Sequence, residues 1–123
     1  MNYEEISEQV INWAQEKGIL QNSTPLKQLE KTQEELNETK ECLEQLVALK
    51  DTQEQKKFHF AEDEDIQTVL NELKKEIGDQ IVTLTLLSEL VGFNTVDCFE
   101  AAYKKIKNRT GVMKDGFFVK DSA

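Results

Sequence analysis

The sequence predicts an all-α fold: about four helices forming an oligomeric helical bundle, followed by a short C-terminal hairpin or extended arm. Three observations carry this. One Pro and five Gly are spread over 123 residues and 32% of residues are charged, which suits helices better than a sandwich or barrel. Apolar residues recur at spacings of three, four and seven along two long stretches, the pattern of a helix with one buried face. Capping and stop residues stand where those stretches begin and end. The length is that of a single domain, 1–123, with enough chain for a core and little to spare.

The first helix is expected over 3–17, where Ile6, Val10, Trp13 and Ala14 share a stripe and Gly18 offers a stop. Residues 18–24 read as a loop. Thr24-Pro25 then supplies a capping hydroxyl followed by Pro at the first helical position. The second helix runs from Pro25 to about Lys50, with Leu26, Leu29, Leu36, Leu43, Leu46 and Val47 as its apolar seam. The polar, mixed-charge stretch 51–64 breaks the pattern and reads as an insertion loop. Its Phe58-His59-Phe60 is read as a surface or packing feature rather than a metal ligand.

A third helix is expected from about Asp65 to Val91, amphipathic in its first half and apolar on nearly all sides over 81–91. A helix of that kind is buried all round. In so small a chain a second subunit must supply the cover, so an obligate homo-oligomer, dimer or tetramer, is predicted. Gly78 sits inside this helix at a cost of about 1 kcal/mol relative to Ala, which points to close approach of another backbone. Gly92 ends the helix. Asn94-Thr95 caps a fourth, about 96–108, with Val96, Phe99, Ala102, Tyr103 and Ile106 facing inward. Lys104, Lys105, Lys107 and Arg109 gather at its C-terminal end, where the macrodipole favours cations. In the tail, Asp115-Gly116 is a hairpin-turn signal between apolar flanks.

A net charge of −9 leaves no basic stripe with which to grip a nucleic-acid polymer. The acidity serves solubility, and it still admits small phosphorylated ligands, because a bound cation reverses the local charge. No apolar run reaches the roughly 18–20 residues of a membrane span, so no membrane partner is expected. The opening Met1-Asn2-Tyr3-Glu4-Glu5 lacks the pattern of a signal peptide. Cys42 and Cys98 are isolated and His59 is the single histidine, which argues against a disulfide scaffold or structural zinc and for reduced thiols in a cytoplasmic protein.

Two acidic pairs stand out. Glu35 and Glu38 lie in Glu34-Glu35-Leu36-Asn37-Glu38, and Glu76 and Asp79 in Lys75-Glu76-Ile77-Gly78-Asp79. Residues three apart on a helix share a face, so each pair aims two carboxylates at one spot. If the two helices pack antiparallel, four carboxylates converge and repel one another unless a hard cation fills the space. Such a site suits Mg²⁺, which keeps open positions for phosphates.

These motifs resemble the signature of the MazG-like all-α nucleoside triphosphate pyrophosphohydrolases: Glu34-Glu35-x-x-Glu38, then Glu76-x-x-Asp79 within Lys-Glu-Ile-Gly-Asp-Gln-Ile-Val-Thr-Leu. The opening Ile-Asn-Trp-Ala-Gln-Glu-Lys-Gly-Ile-Leu and the ending Tyr103-Lys-Lys-Ile-Lys-Asn-Arg-Thr-Gly111, with Asp-Gly-Phe-Phe-Val-Lys120, are similar to small stand-alone members, phage-borne ones included. The resemblance covers nearly the whole chain.

It implies hydrolysis between the α and β phosphates of a nucleoside triphosphate, giving monophosphate and pyrophosphate, in the cytoplasm of a bacterium or phage-infected host. It implies Mg²⁺, with Mn²⁺ as a substitute, held by Glu35, Glu38, Glu76 and Asp79. A further carboxylate would position or deprotonate the attacking water. Glu34 is the candidate by proximity in sequence, although neighbours on a helix point about 100° apart. Lys31, one turn before the first motif, and Lys104, with Lys107, Asn108 and Arg109, are the candidate phosphate-binding residues. Trp13 is a candidate for stacking on the base.

The two motifs lie further apart than in the compact family pattern because of residues 51–64. An insertion between helices is cheap in loop entropy, and its bearing is on substrate preference. The alternative reading is a non-catalytic acidic helical oligomerisation or interaction protein. A third keeps the same chemistry but narrows the substrate to dUTP or a modified nucleotide.

Overall fold

The computed structural model describes residues 1–52 and 64–121, with the side chains of 50–52 left aside. Five helices and one hairpin follow in order: α1 (Tyr3–Glu16), α2 (Ile19–Asn22), α3 (Pro25–Thr52), α4 (Glu64–Leu90), α5 (Thr95–Ile106), β1 (Gly111–Lys114) and β2 (Phe117–Lys120). The expected loop 51–64 is helical at its two ends; residues 53–63, with Phe58-His59-Phe60, lie outside the described residues. No single helix among the described residues is long and apolar enough to cross a membrane.

The helix ends are set by local chemistry. Asn2 Oδ1 accepts from the Glu5 N–H at 2.8 Å, Thr24 Oγ1 from Lys27 N–H at 3.2 Å, and Asn94 Oδ1 from Val96 N–H at 2.8 Å, each satisfying a donor the helix cannot. Gly18 takes φ +76° after α1, a left-handed stop that only Gly adopts freely. The chain then makes one further turn as α2, where Asn22 Nδ2 donates back to the Gly18 carbonyl at 2.7 Å. That turn replaces the loop expected over 18–24.

α3 and α4 form the body of the fold, with α1 laid across α4 and α5 against α1 and α4. The α3–α4 pair is antiparallel: Thr32 meets Thr83 with hydroxyls 2.8 Å apart, and further along α3 Thr39 accepts from Gln80 Nε2, earlier on α4, at 2.6 Å. Burial is unusually polar: Gln28, Glu35, Thr39 and Thr83 are buried along the α3–α4 pair, Ser7, Thr85, Ser88 and Thr95 are buried elsewhere, and among the described residues Ala14, Ile66 and Leu86 are the buried apolar ones.

Most of the leucine seam of α3 lies to one side of this stripe. Leu26, Leu29, Leu36, Leu43 and Val47 are all exposed, Leu36 at 55%, while Leu46 is half-buried. The same holds beyond α3: Ile81 and Leu84 of α4, and Val91 just past its end, stay exposed within one chain; of the α5 residues expected to face inward, Val96 is half-buried and Phe99, Ala102, Tyr103 and Ile106 are exposed. On α5 only Thr95 is buried.

The C-terminal segment is a hairpin. Asp115 and Gly116 both have positive φ, +50° and +84°, the geometry of a type I′ turn matched to strand twist. Gly111 opposes Lys120 across the ladder. A Cβ there would collide with the Val119 carbonyl oxygen and come within 2.9 Å of Lys120 Cα. Gly111→Ala is therefore expected to unzip the hairpin, seen as loss of cross-strand contacts by NMR, with the helical circular dichroism unchanged.

Candidate metal centre

The antiparallel pairing of α3 and α4 builds the site. Gln28, Glu35 and Thr39 are buried on the α3 face turned to α4, and Glu38 lies one turn on from Glu35. Across the interface stands Glu76, half-buried like Glu38. One carboxylate oxygen from each of Glu35, Glu38 and Glu76 lies within 4.8 Å of the others. The Thr39–Gln80 and Thr32–Thr83 contacts fix the helix spacing beside this group. Thr39 Oγ1 also donates to the Glu35 backbone carbonyl at 2.9 Å, tying the two turns of α3 together.

Glu35 is only 7% exposed. Its Oε2, and Oε2 of Glu76, are sealed from solvent with no hydrogen-bond partner among the described residues. A carboxylate oxygen is an acceptor, and a buried one without a donor is costly, so these atoms call for a proton or a cation. The titration behaviour says the same. A hydrogen bond shared with Glu38, then desolvation, then the charges of Glu38, Asp79 and Glu35 push the Glu76 carboxyl up to about 7. Burial, then Glu38, then the charge of Asp79 raise Glu35, and Lys31 opposes them. Cys42, one turn past Glu38, is also raised, first by burial and then by surrounding carboxylates led by Glu76. These residues fit a hard divalent ion: oxygen donors, negative charge in excess, and two orphaned oxygens pointing to the need for one.

Asp79, the fourth predicted ligand, is exposed and stands outside the three-carboxylate group. Its charge acts on both Glu35 and Glu76, and with Glu35 it lines a cleft of about 420 Å³. Lys31 and Trp13 line the same cleft. Trp13 is 46% exposed, so its ring is not core. Lys31 Nζ lies 3.1 Å from Glu34 Oε2 and 3.7 Å from Glu35 Oε1. Glu34 itself is exposed and committed to that lysine, away from the three-carboxylate group.

The basic residues of α5 stand apart. Lys104 is paired with Glu100 at 2.8 Å, and Lys107, Asn108 and Arg109 are exposed. Among the described residues no ion pair or hydrogen bond links any of the four to the carboxylates. Six cleft residues were missed from the sequence: the polar Lys27, Gln28 and Thr83 and the apolar Ile19, Val82 and Leu86. The signal was present for Gln28, which lies two helical turns before Glu35 and so on its face.

The fold and site thus define a class, an all-α protein with an acid-lined candidate metal centre between two antiparallel helices. No protein-family model, curated protein or solved structure matches the chain.

Proposed function

We propose that this protein is a Mg²⁺-dependent nucleoside triphosphate pyrophosphohydrolase, cleaving between the α and β phosphates and working as a homo-oligomer. One observation carries the reading: Glu35, Glu38 and Glu76 converge within 4.8 Å and leave two buried oxygens without a donor. The family resemblance of the two acidic motifs supports the choice of reaction.

Glu35, Glu38 and Glu76 would hold the cation, with Asp79 closing the site from its rim. Mg²⁺ there would draw charge from the phosphate oxygens and make a water a better nucleophile. The chain's own part is to orient and shield. Lys31, fixed between Glu34 and Glu35, places a cation where phosphates would enter. Trp13 gives an aromatic face for a base, and Leu86 and Val82 an apolar floor that excludes water. Glu34 remains a weak candidate for base catalysis because it is turned to Lys31.

The test is to incubate the purified protein with each NTP and dNTP, with Mg²⁺, with Mn²⁺ and with EDTA, and to identify the products. Monophosphate and pyrophosphate, lost with EDTA and in Asp79→Asn, are expected. Absence of turnover on every nucleotide, with no change in thermal stability on adding Mg²⁺, would refute the reading and favour the non-catalytic interaction protein.

Self-association is supported by the outward leucine stripe of α3. Leu29, Leu36 and Leu43 repeat every seven residues and are exposed together, an apolar seam suited to a helix of a second copy. Leu36→Lys is expected to lower the assembly state in sedimentation velocity. An unchanged assembly state would place the interface elsewhere.

A further inference from the structure

The C-terminal hairpin and one groove of the body each lack something within the single chain. Strand alternation puts Val112, Phe117 and Val119 on one face of the hairpin and Met113 and Phe118 on the other. Both faces are thus apolar, yet every residue from Val112 to Lys120 is exposed, Phe117 at 74%. Among the described residues neither strand packs extensively on a helix of its own chain. A two-stranded hairpin without further packing is marginal in water, so these faces call for cover.

The groove lies between α1 and α4. Its volume is about 400 Å³, and Tyr3, Ile6, Val10, Gly78, Ile81 and Val82 line it. Gly78 is the informative residue. It sits inside a long helix, where Gly is unfavourable, and a Cβ placed on it would meet nothing within 4 Å. Nothing among the described residues therefore explains the glycine, whereas a backbone arriving from a second copy would.

Charge identifies the visitor. Among residues 104–120, six are Lys or Arg and one is acidic, while the other 106 residues hold nine basic against 23 acidic. The α1 wall is the acidic extreme, with Glu4, Glu5, Glu8 and Glu16 and no cation. The charged residues in the groove lining are Asp79 and Lys75, and Glu4, Glu5 and Glu8 stand on α1 beside it, so a basic, apolar hairpin and this apolar groove with its acidic wall are complementary, and each copy carries one of each. We propose that the hairpin of one copy docks in the α1–α4 groove of a second copy, its backbone running over Gly78. The reciprocal contact closes a two-fold dimer. Tyr3, at the groove, packs its ring tilted against that of Phe99 with centroids 6.0 Å apart, so α5, which leads into the hairpin, already flanks the groove. The inference does not depend on catalysis.

The test uses the full chain and two variants acting on opposite partners. Phe117→Ser with Phe118→Ser strips the hairpin of its anchors. Gly78→Leu fills the groove from a position whose Cβ would meet no described atom within 4 Å, and it removes a helix-destabilising glycine. Both are expected to weaken self-association at least tenfold in sedimentation, and Gly78→Leu to keep or raise the thermal midpoint. In a mixture of ¹⁴N- and ¹⁵N-labelled protein, carbodiimide is expected to link Lys114 or Lys120 to Glu4, Glu5 or Glu8 in mixed-isotope pairs. Self-association unchanged in Gly78→Leu would overturn the proposal, whatever the folding of the serine variant. Links found only within one isotope, or only to α3, would overturn it as well, as would a hairpin that links to nothing in the pure protein.

Discussion

Glu38→Gln is expected to reduce nucleoside triphosphate hydrolysis by at least roughly 10²–10³-fold, the scale on which a single well-placed electrostatic group acts. Glu38 is the shared member of the cluster, since it perturbs both Glu35 and Glu76 through hydrogen bonding and through charge. Gln keeps the volume and can still donate to a carboxylate, so the α3–α4 spacing should hold. What it removes is a negative charge facing two others. The metal-free variant is therefore expected to melt no lower than the parent, and to melt higher at neutral pH, where repulsion is greatest. The Mg²⁺-induced rise in melting temperature should shrink or vanish with the activity. Loss of both turnover and fold would instead make Glu38 a structural residue, and full turnover would remove it from the site.

Much of this was legible in the sequence, and the misses have a common cause. Caps are local, so Thr24, Asn94 and Gly18 could be read directly, as could the Asp115-Gly116 turn. The i,i+3 carboxylates were legible because a helix of known period places them on one face. Periodicity tells which residues share a face, but it does not tell which face turns towards which neighbour. On α3 the leucines and the Gln28–Glu35–Thr39 stripe are both regular. The natural assumption that leucines face the core fails here, because the polar stripe is the one packed on α4. α5 shows the same failure, with Phe99, Tyr103 and Ile106 left open. α2 was missed for a different reason: four residues are too few for a periodic signal. Where the α5 cations sit relative to the carboxylates is a tertiary fact that spacing along the chain does not encode.

The protein without metal is expected to lose stability as pH rises from 5 to 8, opposite to the usual behaviour of paired carboxylates. The ordinary value for Glu76 is 4.5, and in the fold its carboxyl stands at about 7; Glu35 is displaced in the same direction. Between those two values the folded protein holds a proton that the unfolded chain has released. By linkage, stability then falls with rising pH. The contribution is fully present below the unfolded value and is gone above about 7. The lowered carboxyl of Glu100, held down by Lys104, has the opposite sign, but its effect is confined to pH values below the ordinary carboxylate range. Mg²⁺ should reverse the trend. It competes with the proton for the same oxygens, so its affinity rises over the interval in which metal-free stability falls. At a hundred times its dissociation constant a bound ligand adds about 2.7 kcal/mol. Melting curves at pH 5, 6, 7 and 8, in EDTA and in Mg²⁺, are therefore expected to diverge as pH rises, falling in EDTA and held up in Mg²⁺. Glu76→Gln should flatten the EDTA series, because it fixes in place the neutral form that the parent reaches only by binding a proton. Parallel curves in the two conditions would mean that the orphaned oxygens of Glu35 and Glu76 are served by protons alone, and the cluster would then be a pH-sensitive contact between helices and not a metal centre.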